Sequence, residues 1–417
     1  MAGLRDSLAS LHQMRSLFQK RLAAAATGPA APSANAPALR EIATFGSNPG
    51  NLRMFVHVPP ALGAKPGLVV ALHGCTQTAR AYAHGTGWCE LADRHGFVVL
   101  FPEQQAANNP KNCFSWFLPA DTVRDGGEAL SIRQMIEKAV NAFGIDQRRV
   151  FVTGLSAGGA MASVMLAAYP ELFAGGAIIG GLPYGSAANV QEAFDAMFND
   201  RAPSARALGD RVRAASKHRG PWPRISVWHG TADTMVKPSN AEHILSQWLN
   251  VQGLPREPSG LEQGTHYMRR VWNDSSGQPQ LEVITVAGMG HGVPLATTGQ
   301  SRCGAVGPFF LDVGVSATTH IARSWEIDRQ FTAHNAVSGV TSRAIDAPAV
   351  SADGPSGQSS GEAEALPHMH PHFNPADVIA AAFQAAGLQP PSASGRGSID
   401  PASVIEAALK AAGLSRG

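Results

Sequence analysis

The chain has 417 residues, of which 44% are hydrophobic and 15% charged, and its formal net charge is +2. A balance this close to neutral excludes the basic excess of a nucleic-acid binder, while the length suits one large α/β core with appendages. The 15 histidines show no HExxH spacing and the four cysteines form no CxxC, so neither a metal centre nor a cofactor is expected.

From the amino end, Leu4, Leu8, Leu11, Phe18 and Leu22 recur at helical spacing, with Arg5, Arg15, Lys20 and Arg21 between them. This predicts an amphipathic helix, either docked on the body or anchored to a membrane or polymer surface. An Ala/Pro/Ser linker follows, and the two make up residues 1–40. The segment is basic and ends in small residues, but it lacks the continuous apolar stretch of a secretion signal. No apolar run in the chain approaches the ~20 residues of a membrane-spanning helix.

From residue 41 to about 335, strand-like and helix-like segments alternate. "LVVALHG", "FVVLFPE", "RVFVTG", "AGGAIIGG", "RISVWHG" and "LEVITVAG" read as strands; "GWCELADRHG", "GGEALSIRQMIEKAVNAFG" and a stretch from Asn240 to Asn250 read as helices. The expected fold class is α/β, with a mainly parallel central sheet covered by helices on both faces and short helical appendages at both termini. Residues 336–366 read as a flexible polar linker. In 367–417, "NPADVIAAAFQAAGL" and "DPASVIEAALKAAGL" match at ten of fifteen positions and predict two short helices. Their apolar residues Val378, Ile379, Phe383, Val404, Ile405 and Leu409 would pack together, on the body, or on an outside surface.

Chemistry concentrates at strand ends. "GLSAG" joins a predicted strand to a predicted helix, and in G-x-S-x-G the small residues let the chain turn sharply and expose Ser156. A serine hydroxyl needs a base to take its proton and hydrogen-bond donors where negative charge develops. The Ala157 N–H, opening the helix, is one candidate donor. The acid is expected at Asp233, just past "RISVWHGTAD", because Glu192, Asp195, Asp200 and Asp210 follow no strand; a role as a loop cap is its alternative. The base is expected at His291, within "GMGHG" after a strand, rather than at His243 in a helix or His266 in "GTHYMRR". The loop after "LVVALHG" should supply a second donor through the Cys75 N–H, with His73 structural. Cys75, Cys89, Cys113 and Cys303 allow three full pairings, and a disulfide from Cys75 to Cys89 or another cysteine would fix that loop.

With "LHGCTQTA", "GLSAGGAMA", "WHGTAD" and "GMGHG" in this order, residues 41–330 resemble the esterase family of poly(3-hydroxybutyrate) depolymerases. The resemblance implies an α/β-hydrolase fold and ester hydrolysis through an acyl-enzyme, with Ser156, Asp233 and His291 as triad and Cys75 at the oxyanion hole. It also implies Trp116 and Phe117, in "CFSWF", as groove residues, with core packing the alternative. Feruloyl and acetyl-xylan esterases belong to the same broad group and are the alternative substrate class. Secreted members of the family point to an extracellular setting; with no secretion signal read, the alternative is cytoplasmic, and a polymer granule or hydrophobic surface is an expected partner of the terminal helices. A non-catalytic protein that binds granules through its terminal helices is the reading from another class.

Overall fold

The structure is a computed structural model that describes residues 13–23, 37–200 and 203–328. Leu4, Leu8, Leu11, the polar linker and the two carboxyl-terminal repeats lie outside the described residues.

Ten strands form one sheet in the order β1-β2-β4-β3-β5-β6-β7-β10-β9-β8. Its centre is six parallel strands, β4 (Val98–Glu103), β3 (Leu68–Leu72), β5 (Val150–Leu155), β6 (Gly175–Ile179), β7 (Arg224–Gly230) and β10 (Pro279–Val286). Antiparallel strands flank it: β2 (Arg53–His57) and β1 (Arg40–Ile42) on one side, β9 (Tyr267–Asn273) and β8 (Gly260–Gln263) on the other. The α/β expectation therefore holds, with antiparallel margins that the strand pattern did not reveal. A small parallel pair, β11 (Val293–Leu295) with β12 (Phe310–Asp312), lies outside this sheet.

The central strands are mostly apolar because both faces are covered. With side chains alternating along a strand, Leu68, Val70 and Leu72 of β3 join one core, while Val69 and Ala71 join the other. The first core is closed by α5 (Gly127–Phe143), α6 (Ala157–Ala168) and α9 (Ser239–Gln252), through residues such as Ile132, Met161 and Trp248. The second is closed by α2 (Ala79–Thr86), α3 (Trp88–His95) and α10 (Ala317–Ser324), through Tyr82, Trp88 and Ile321. Trp325 anchors it, stacked on Phe151 at 4.6 Å and on Trp88 at 5.8 Å between ring centroids. A short helix over residues 13–23, α1, precedes the sheet, and α4 (Pro119–Thr122), α7 (Val190–Phe198) and α8 (Ala205–Ala215) complete the helices used below. No helix among the described residues is long and apolar enough to cross a membrane.

One buried polar cluster ties the far side of the sheet together. Glu282 of β10 accepts from Ser226 Oγ of β7 at 2.7 Å and from Arg269 Nε of β9 at 2.7 Å, with His320 Nε2 of α10 at 3.4 Å. Burial by itself would raise the Glu282 pKa, but His320, Arg269 and Ser226 outweigh it and draw the carboxyl down to about 2. A carboxyl depressed in the folded state adds stability above its ordinary pKa of about 4.5 and loses it as pH falls toward 2. Glu282→Gln is therefore expected to flatten the acid limb of the stability curve between about pH 4.5 and 2, measured as urea midpoints across that range.

Candidate active site

β5 runs into α6 through Ser156, whose backbone lies at φ 58° and ψ −119°, a conformation that costs a non-glycine residue on the order of 1–3 kcal/mol. Two bonds hold the corner: the Ser156 N–H donates to Ile179 O at 2.9 Å, and the Ala160 N–H donates to Ser156 O at 2.8 Å. The flanking glycines are required by contact rather than by φ. A Cβ on Gly158 would lie 2.2 Å from Leu72 O and 2.5 Å from His73 O, and one on Gly154 would lie 2.3 Å from Gly158 O. Backbone from β3, β5 and α6 thus meets at this corner with no space for a methyl group. Ala157 is the first residue of α6, so its N–H has no acceptor within the helix and lies at the positive end of the helix dipole.

Asp233 sits three residues past the end of β7. Its Oδ1 accepts from the Met235 and Val236 N–H groups at 2.8 and 2.9 Å, and its Oδ2 lies 2.7 Å from His291 Nδ1. One oxygen of the carboxylate thus braces its own loop and the other faces His291. His229 Nε2 stands 3.4 Å from the same Oδ2 but is closer to the Val236 carbonyl, at 2.9 Å. Burial disfavours the Asp233 carboxylate; His291 and His229 more than compensate and hold it ionised, well below the usual carboxylate range. His291 follows β10 on a loop packed against the Asp233 loop, where the Ala232 N–H donates to Met289 O at 3.0 Å. A carboxylate against Nδ1 places the ring proton there and leaves Nε2 as the basic nitrogen.

The loop after β3 closes the third side. Buried His73 accepts the Gln104 N–H on Nε2 at 3.1 Å, so its proton is on Nδ1, which donates to Gly74 O at 2.8 Å. Burial lowers its pKa to about 4, which keeps it a neutral structural bridge. Next to it, Gly74 N–H donates to Gln77 Oε1 at 2.8 Å and Thr76 N–H to Lys111 O at 2.6 Å, with Thr76 at φ 65°. A disulfide joins Cys75 to Cys113, 38 residues on. Cys89 and Cys303 are buried free thiols, so the loop is fixed by Cys113 and not by Cys89. The Cys113 segment is braced in turn by Glu128, which accepts from the Ser115 N–H at 2.9 Å and from Gln104 Nε2 at 2.5 Å.

Ser156, His291 and Cys75 line one cavity, with about 10 Å³ of space that a solvent molecule could occupy. Asp233 stands behind His291. Trp116 and Phe117 are not among its lining residues: Trp116 is 6% exposed in the first core, and half-buried Phe117 packs edge-on against it at 5.4 Å. Leu155, Met235 and Phe309 supply the apolar lining instead. Sequence reading missed Gln77, Met235 and Phe309 there, and had no signal that Phe18 and Leu22 of α1 would line this cavity. Because Gly158 packs on two carbonyl oxygens of the β3 end, Gly158→Ala is expected to cost roughly 2–3 kcal/mol in urea unfolding and to reduce turnover by opening the corner.

Residues 52–264 match the family model "Esterase PHB depolymerase". The chain is 44% identical over 299 residues to poly(3-hydroxyalkanoate) depolymerase C of Paucimonas lemoignei, which covers 71% of this chain and 72% of that protein. It is 36% identical over 282 residues to an acetylxylan esterase of Coprinopsis cinerea, covering 66% of this chain and 74% of the relative. Among solved structures, the acetyl xylan esterase from Aspergillus awamori is similar with a TM-score of 0.57 and 30% identity, over 61% of this chain and 94% of that one. A ten-stranded sheet with helices on both faces, a strained serine corner and this extent of identity place the chain in the Esterase PHB depolymerase family, as a carboxylic ester hydrolase of the α/β-hydrolase fold.

Proposed function

We propose that Ser156 is the nucleophile, His291 the general base and acid, and Asp233 the carboxylate that orients it, in hydrolysis of poly(3-hydroxybutyrate) or its oligomers. The observation that carries this reading is the 2.7 Å contact of Asp233 Oδ2 with His291 Nδ1, with His291 and the strained Ser156 lining one cavity. Ser156 Oγ attacks the ester carbonyl carbon as its proton passes to His291 Nε2. The oxyanion is met by the N–H groups of Ala157 and Cys75. Collapse breaks the bond to the alcohol oxygen, which leaves with the proton from Nε2. Water then repeats the sequence on the acyl-enzyme and frees the acid and Ser156. Asp233 stays ionised throughout and stabilises the imidazolium.

The polyester substrate is supported by the 44% identity to a poly(3-hydroxyalkanoate) depolymerase and by the apolar lining from Leu155, Met235 and Phe309. Acetyl esters of xylan are the second reading, favoured by the 36% identity to an acetylxylan esterase and by the small cavity. Under the first reading, the carboxyl-terminal repeats hold the enzyme on a granule.

The test is release of 3-hydroxybutyrate from a polymer suspension beside an oligomer, methyl ferulate, an acetylated xylan and a short nitrophenyl ester. Ser156→Ala is expected to lower kcat on every cleaved substrate by about 10⁴-fold or more, and Asp233→Asn by about 10⁴-fold, with folding retained. Turnover by Ser156→Ala equal to the parent would overturn the nucleophile. Cleavage of acetylated xylan without any hydroxybutyrate release would transfer the assignment to the second reading.

A further inference from the structure

Helix α1 places Met14, Phe18, Arg21 and Leu22 along one stripe, while Gln13, Arg15, Gln19 and Lys20 are exposed. Leu22 is 6% exposed, and both Phe18 and Leu22 line the cavity that holds Ser156 and His291. Phe18 meets the Phe194 ring of α7 edge-on at 5.7 Å, Arg21 lies over the Phe198 ring at 5.2 Å, and Arg21 Nη1 donates to the carbonyl of Thr234, beside Asp233. With α1 seated, Ser156 and His291 are each 9% exposed. The space there that a solvent molecule could occupy is only about 10 Å³, far below the ~300–1,000 Å³ of ordinary small-ligand clefts.

We propose that α1 is the resident occupant of an apolar docking groove at the ester site, and that the groove's second occupant is a hydrophobic polyester chain presented at a polymer surface. This rests on the polyester reading above. Among the described residues, α1 meets the body through Phe18 and Leu22, the Arg21 cation–π pair and the hydrogen bond to Thr234. An isolated helix of this length is marginal in water, so the displaced α1 needs an apolar partner for its stripe. A polyester surface supplies one to the stripe and threads a chain into the vacated groove, and the exposed Arg15 and Lys20 keep the outer face in water. The site is closed toward dissolved esters and opens where polymer is present.

The test uses the full chain and a Phe18→Ser/Leu22→Ser variant. The variant is expected to hydrolyse a dissolved short nitrophenyl ester about tenfold faster in kcat/KM than the parent. It should also lose the rise in rate that the parent shows when the same ester passes its solubility limit and forms an apolar phase. Equal kcat/KM in a variant of unchanged unfolding midpoint would overturn the proposal. Should the variant not fold, the parent alone decides, since a rate that saturates smoothly through the solubility limit overturns the proposal as well. Failure of the polyester reading looks different: hydroxybutyrate release would be absent from both proteins while the dissolved ester is still cleaved.

A separate observation concerns Gln77, 6% exposed and lining the same cavity. Its Oε1 accepts the Gly74 N–H, which fixes the orientation of the amide, and its buried Nε2 has no hydrogen-bond partner among the described residues. A Cβ on Gly74 would lie 3.2 Å from Gln77 Oε1 and 3.5 Å from Ser156 Cβ, so the amide stands beside the nucleophile. Buried donors are rarely left unpaired. The geometry points to Gln77 Nε2 as a further donor to the carbonyl oxygen of the reacting ester, stronger as that oxygen becomes negative. Gln77→Glu keeps the acceptor for Gly74 N–H and removes the donor; Gln77→Met removes both. Each is expected to lower kcat by about 10²-fold with KM changed little, and to weaken an alkyl boronic acid, a mimic of the tetrahedral adduct, by a similar factor. Boronate affinity unchanged beside a reduced kcat, or Gln77→Glu as active as the parent, would leave Gln77 as a brace for Gly74 and overturn the role as donor.

Discussion

The site depends on how closely backbone from three elements packs at one corner. Gly158 lies against the carbonyls of Leu72 and His73, and Gly154 against the carbonyl of Gly158 itself. Any side chain there would push the end of β3 away from the start of α6. That contact sets the separation between the Cys75 loop and the Ala157 N–H, the two donors proposed to meet the oxyanion. It also explains why Ser156 holds a backbone conformation unfavourable for a serine: the ladder on one side and the helix on the other leave no relaxed alternative.

Around this corner the buried polar groups are held by specific partners. The Gln104 N–H allows His73 only the neutral tautomer with its proton on Nδ1. Two backbone N–H groups occupy Asp233 Oδ1 and leave Oδ2 to His291. Glu128, buried behind the Cys113 segment, has its pKa raised to about 7 by desolvation against the bonds from Ser115 and Gln104, and it ties that segment to α5. The Cys75–Cys113 disulfide carries the same brace to the front of the site. Rigid loops of this kind suit a reaction whose charge develops at one oxygen, because donors already in place need no rearrangement as the charge appears.

The chemical groups sit on strand ends and short loops, whereas the element that covers them is a helix that packs through one stripe. Strand ends hold the serine, histidine and carboxylate loops and the disulfide holds the Cys75 loop, while α1 packs over them through side chains such as Phe18, Arg21 and Leu22. For a dissolved ester a covered site is a hindrance. For an insoluble one, a cover whose apolar stripe matches the polymer makes opening depend on the surface.

The sequence by itself determined the alternation of strands and helices and the placement of Ser156, Asp233 and His291 just past strand ends. These follow from local rules: apolar period, glycine stops and the sharp turn that G-x-S-x-G permits. The same rules show an apolar stripe on α1 without showing what it covers, and two aromatic residues at 116 and 117 without showing that Trp116 is buried in the core with Phe117 packed against it. Only the tertiary structure paired Cys75 with Cys113, set Gln77 beside Ser156, laid Phe18 and Leu22 over the cavity, and gave the sheet its antiparallel margins. Each of these joins residues far apart in sequence or depends on strand order. β3 lies between β4 and β5 in the sheet although it precedes both in the chain, and no local pattern encodes which distant neighbour a strand, a cysteine or a helix face will meet.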